Sequence, residues 1–124
     1  MNSQEFKVSQ FHVFKVVSTL ALLSAAVTTP AQTNLQNTGH TRVARITVYP
    51  EYGNGDVVFT VENPAPGCGD GFWLSPVSPG FKLTLTILLM LKSSGAKFET
   101  LGSPDRLWPG SSGKYCAVYA LSPV

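Results

Sequence analysis

The chain has 124 residues, 44% of them hydrophobic, with nine basic and seven acidic side chains and a net charge of +2 at neutral pH. The basic residues beyond the N-terminal stretch (Arg42, Arg45, Lys82, Lys92, Lys97, Arg106 and Lys114) are scattered and form no run, which argues against a nucleic-acid partner and against an anionic membrane surface. This length suits one small domain whose core buries less of its surface than that of a larger protein.

The chain opens MNSQEFKVSQFHVFKVVSTLALLSAAVTTPAQ, with Lys7 and Lys15 ahead of the apolar run 16–27 and the small-residue exit Thr29-Pro30-Ala31. That layout predicts a signal peptide over residues 1–31, cut after Ala31 or alternatively after Ala26. The run falls short of the ~20 residues that a membrane-crossing helix needs, so the expected product is secreted or periplasmic and leaves the membrane after cleavage. Residues 32–41 (QTNLQNTGHT) are polar with little to bury and read as a flexible leader, and the domain proper is expected over 42–124.

Two alternating runs follow, RVARITVYPE (42–51) and DVVFTVE (56–62), rich in the β-branched and aromatic residues that suit a pleated surface. Between them Tyr52-Gly53-Asn54-Gly55 supplies turn residues, so the pair reads as an antiparallel hairpin. A loop rich in Gly and Pro, PAPGCGDGFWLSPVSPGF (64–81), encloses the short apolar segment Phe72-Trp73-Leu74. In FKLTLTILLMLKSSG (81–95) the periodicity is divided: Leu83, Leu85, Ile87, Leu89 and Leu91 alternate, whereas Phe81, Leu85, Leu88 and Leu89 share a helical face. The ends favour a helix, with Ser78 to cap, Pro79 in the first turn and Gly95 to close after Lys92. Such a helix is apolar nearly all round and needs a sheet or a partner subunit to cover it. AKFETL (96–101) reads as a strand, GSPDRLWPGSSG (102–113) as a long loop, and KYCAVYALS (114–122) as a closing strand with Tyr115, Ala117, Tyr119 and Leu121 on one face. The order predicts a mainly β (α+β) fold: about five antiparallel strands curled into a small barrel with one helix over the sheet.

Cys68 and Cys116 are the two cysteines, and an even count in a small exported chain reads most simply as one disulfide, with free thiols or pairing between chains as the lesser readings. Closing the loop between them contributes on the order of 4 kcal/mol by the chain-entropy model. The bridge would pin the 64–81 loop onto the last strand.

Tested as chemistry, the loops fall short of enzyme motifs. Residues 108–115, WPGSSGKY, lack the first Gly and the final hydroxyl of a phosphate-binding loop. Cys68, Cys116 and His40 do not make up the four ligands of a structural zinc site, and no metal or other cofactor is expected. His40, beyond the signal region the one histidine, lies in the polar leader, where an exposed side chain is the simpler reading than a catalytic base. Asp70 and Asp105 form the remaining acid/base pair, with nothing in the sequence to bring them together. Trp73 and Trp108 are flat apolar surfaces with a polar N–H, suited to stacking on a sugar or a partner. Trp108, between Arg106 and Pro109, reads as the exposed contact and Trp73 as a cap on the core.

The opening strand RITVYP, the second strand DVVFTVE, the cysteine loop, the run SPGFKLTLTILLMLKSSGAKF and the final strand YCAVYAL together resemble small secreted bacterial proteins related to the binding subunit of subtilase-type AB5 cytotoxins. The resemblance covers most of 42–122. It implies an OB-like barrel with one helix, and by analogy a ring-shaped homopentamer that binds cell-surface glycans, its helices lining the centre of the ring. In those subunits a hydroxyl just before the first strand matches Thr41 here, and an aromatic near the end of the strand after the helix falls at about Gly102.

The expected function is that of a secreted, non-enzymatic binding protein, a glycan-binding module resembling a toxin B subunit and forming a homo-oligomer, with Trp108, Trp73 and Thr41 as candidate ligand contacts. The alternative is a monomeric periplasmic or envelope structural protein that meets another protein through a sheet edge.

Overall fold

The computed structural model describes Ala25 and residues 34–124; the expected signal peptide, with its cleavage points at Ala26 and Ala31, lies outside the described residues apart from Ala25. In chain order the elements are β1 (Gln36–Asn37), β2 (Val43–Tyr49), β3 (Asp56–Val61), β4 (Gly71–Leu74), α1 (Phe81–Ser94), β5 (Phe98–Leu107) and β6 (Tyr115–Pro123). The strands form one sheet in the order β1-β5-β6-β4-β3-β2. The fold is therefore mainly β with one helix, as expected, but the expected antiparallel barrel of about five strands is corrected in three respects. Among the described residues there are six strands, β4 and β6 run parallel, and the sheet is not closed into a barrel.

The hairpin forms where alternation and turn chemistry agree. Ile46 lies opposite Phe59 and Tyr49 opposite Asp56, and the turn is held by the Gly55 and Asp56 amides donating to the Tyr52 carbonyl at 3.1 and 3.2 Å. β3 lies inside the sheet and is buried along nearly its whole length, which its run of Val and Phe suits.

After β3 the chain turns back through the cysteine loop. Gly71 starts β4 at φ 134°, and a Cβ there would run into the Phe59 carbonyl, so only glycine lets the two strands approach. The Cys68–Cys116 disulfide is formed, with 5.4 Å between the Cα atoms, and both residues are fully buried. It fixes the loop to β6 beside the pairing of Phe72 with Cys116. Phe59 and Phe72 stack at 5.4 Å and form the centre of the core with Phe98, Leu88 and Leu91.

The helix reading of 81–94 holds, with a different start. Gly80 is the N-cap, no side chain caps the end, and Pro79 precedes it, so the expected Ser78 cap is absent. Ser78 contributes its carbonyl, which accepts the Phe81 amide at 3.1 Å. Gly95 closes the helix in the left-handed conformation at φ 69°, donating to the Leu91 carbonyl at 2.9 Å. Phe81, Leu85, Leu88 and Leu91 turn to the core, while Leu83, Leu89 and Met90 stay exposed. Leu89 thus leaves the face expected for it. Lys92 Nζ donates to the Ala44 carbonyl and Arg42 Nε to the Gly95 carbonyl, both at 3.0 Å, tying the helix end to β2.

β5 continues through the segment read as a loop from 102. Gly102 and Pro104 look like breakers, but the ladder with β6 shifts between Ser103 and Leu107, so Pro104 to Arg106 bulge where a missing N–H costs no ladder bond. The 36–41 segment, expected as a flexible leader, is paired: β1 lies on β5, and Thr41 exchanges two 2.9 Å bonds with Phe98. Its order comes from backbone pairing, which polar composition does not reveal. On β6, Cys116 and Val118 pack on the core and Tyr119 faces out, in keeping with the expected alternation, although Leu121 also packs inward.

Candidate functional site

The bulge in β5 places Arg106 across from Trp73 on β4, and the Trp73 indole N–H donates to the Arg106 carbonyl at 3.0 Å. That bond fixes Trp73 in the lining of a cleft of about 180 Å³ between β4, the first turn of α1 and the middle of β6. Trp73, Phe81 and Tyr119 supply aromatic surface, and Ser75, Ser78 and Thr84 supply hydroxyls. Among the described residues of the lining, Arg106 is the one that is charged and none carries a carboxylate. Tyr119 lines the cleft and is 66% exposed. The volume is below the ~300 Å³ of drug-sized sites, which limits an occupant to about one small ring. With an indole, hydroxyl groups and a guanidinium, such a cleft can stack on a ring's apolar face and hydrogen-bond its rim.

The structure reverses the expectation for the two tryptophans. Trp108, read as the exposed contact, is only 5% exposed; its indole N–H donates to Asp56 Oδ2 at 3.0 Å, and Tyr49, Tyr52 and Tyr115 surround it. Trp73, read as the core cap, is half-buried and borders the cleft. Thr41 is 2% exposed, and its Oγ1 accepts the Asn63 amide at 2.9 Å, so its hydroxyl braces the chain and does not border the cleft. Cys68 and Cys116 are joined as expected. At Gly102, where the resemblance places an aromatic, a Cβ would stand 2.5 Å from the Phe72 ring, so no larger side chain fits without repacking.

Of the acid/base pair considered from sequence, Asp70 Oδ2 accepts the Lys114 amide at 2.7 Å and serves the loop, and Asp105 lies exposed on the bulge. His40 makes an exposed pair with Glu99 at 3.4 Å, which solvent screens. Arg106 and Tyr119 were not singled out from sequence. The signal that would have found Arg106 is Pro104, since a proline inside a strand implies a bulge and a bulge re-aims its neighbours.

A second surface is apolar: Ile87, Leu89, Met90 and Leu91 of α1, with Ala96 and Pro123, line a wide, shallow groove. No helix among the described residues is long and apolar enough to cross a membrane.

No protein-family model matches the chain, and no curated protein matches it. What the fold defines is a class: a small α+β domain with a mixed six-stranded sheet, one helix and a buried disulfide. A disulfide of this kind belongs to an oxidising, exported compartment.

Proposed function

We propose that this chain is an exported, non-enzymatic binding protein that takes a saccharide ring in the cleft beside Trp73 and assembles with copies of itself through α1. The observation that carries the reading is the Trp73 cleft, where an indole fixed at its N–H lies beside hydroxyl groups and a guanidinium. Two further features support an OB-like reading of the sheet, as in the toxin-type subunits that the sequence resembles. β4 pairs parallel to β6 with α1 leading into β5, and the Thr41–Phe98 bridge brings the start of β2 toward β5. The exposed Leu83, Leu89 and Met90 support the assembly.

The test is capture on arrayed glycans. The reading expects wild type and the surface variant Lys97→Ala to bind alike and Trp73→Ala to lose roughly ten-fold in affinity, as loss of an aromatic anchor does. Absence of binding to any glycan overturns the saccharide reading. The competing reading, an envelope protein that pairs through a sheet edge, has its own observation: β2 is an edge strand seven residues long, with Val48 and Tyr49 exposed. An envelope partner lost on Val48→Lys would favour it.

A further inference from the structure

The hairpin turn and the 108–113 loop meet over a cluster that the Trp73 cleft does not use. Trp108 is held there by its 3.0 Å bond to the buried Asp56 and by its own amide, which donates to the Tyr115 carbonyl at 2.9 Å. Tyr115 closes one side edge-on at 5.8 Å, and Gly110 leaves the indole room that any Cβ would occupy. The remaining neighbours, Tyr49 and Tyr52, pack on the indole at 5.0 and 5.5 Å, yet keep 37% and 41% of their surface in water.

Tyr49 is tilted 39° from the indole plane and Tyr52 stands 75° from it, so the two tyrosine rings pack on the same indole without being coplanar. Neither the hairpin nor the packing of Trp108 requires an aromatic in the turn, where Gly and Asn already supply the geometry. Two half-exposed phenol rings held on one buried indole offer apolar faces for the C–H side of a pyranose and hydroxyls for its rim. The charged residue that the turn carries, the exposed Glu51, is acidic, and the Asp56 carboxyl lies buried behind Trp108, which disfavours an anionic sugar there.

We infer that Tyr49 and Tyr52 form a second saccharide site, separate from the cleft, and that it takes an uncharged hexopyranose. Trp108 is its positioning residue. The site goes beyond the cleft reading and stands or falls independently of it.

The experiment is an NMR titration of the full folded protein with lactose, with maltose and with glucuronic acid, up to tens of millimolar, as weak single-ring contacts require. The expected result is saturable movement of the Tyr49 and Tyr52 ring signals with lactose or maltose and a weaker response to glucuronic acid. Tyr52→Ala, which also uncovers part of Trp108 and is therefore checked for an unchanged melting profile, lowers that affinity roughly five-fold, and Tyr52→Phe, which keeps the packing on Trp108, retains most of it because the ring face does the work. Lys97→Ala leaves it unchanged, and following the Trp73 indole N–H signal in the same titration separates this site from the cleft. No movement of either ring with both neutral sugars overturns the inference. So does tighter binding of glucuronic acid, or an affinity that Tyr52→Ala does not alter.

Discussion

Trp108 and Asp56 are 52 positions apart in sequence, and one hydrogen bond between them decides the environment of both. Phe in place of Trp108 retains most of the apolar contact but removes the N–H donor, leaving a buried carboxyl without that partner. The expected cost is about 1–3 kcal/mol, since an unsatisfied buried group costs more than the bond contributed. Urea unfolding checks it: the midpoint should fall with the slope unchanged, and an unmoved midpoint would mean that Asp56 is satisfied some other way. At Gly71 the conflict is steric. Gly71→Ala places a methyl against the Phe59 carbonyl at a backbone angle that side chains avoid, and it is expected to destabilise by more than ~1 kcal/mol in the same assay. Both effects depend on residues distant in the chain, which explains why the sequence suggested an exposed Trp108. Its neighbours along the chain are polar and turn-forming, while the groups that bury it come from β2, the turn and β6.

At the scale of elements, the two faces of α1 separate core from surface. Leu88 is fully buried and Leu83 exposed, so Leu88→Ala is expected to cost about 2–5 kcal/mol and Leu83→Ala close to nothing. For a domain of this size each kcal/mol lowers the melting temperature by ~4–8 °C, so thermal unfolding distinguishes the two clearly. Equal effects would mean that the helix is covered on both sides within one chain. The hairpin and the helix were legible in the sequence because their signals are local: alternation around Gly53-Asn54-Gly55, and Gly95 after an apolar run. β1 was not legible, because Gln36 and Asn37 owe their order to backbone pairing with β5 and not to an apolar face. The second half of β5 was hidden by Gly102 and Pro104, whose breaker character the bulge and the close packing of Phe72 absorb. The cleft was half legible: Trp73 stood out in its loop, but Arg106 joins it only because the fold brings together segments 33 residues apart.

At the scale of the whole molecule, the disulfide spans 48 residues and ties the loop before β4 to the last strand. Its loss in a Cys68→Ser/Cys116→Ser variant is expected to remove on the order of 4 kcal/mol, a large share of the stability of a small domain. Denaturant unfolding of the variant measures it, and a variant as stable as the wild type would show that the sheet closes the loop unaided. The apolar outer side of α1 has its own expected outcome. Light scattering should report a multiple of the chain mass, and Leu89→Glu/Met90→Glu should reduce it to the monomer without changing the melting profile of the domain. A wild-type monomer would contradict the assembly.

Whether the Trp73 cleft holds a saccharide ring is read from the two indole N–H signals of nitrogen-labelled protein as a glycan identified by array capture is added. With a ring in the cleft, the Trp73 signal moves saturably, together with the amides of Phe81 and Thr84 at the start of α1. A Trp73 signal that stays in place while the glycan binds would contradict the cleft reading.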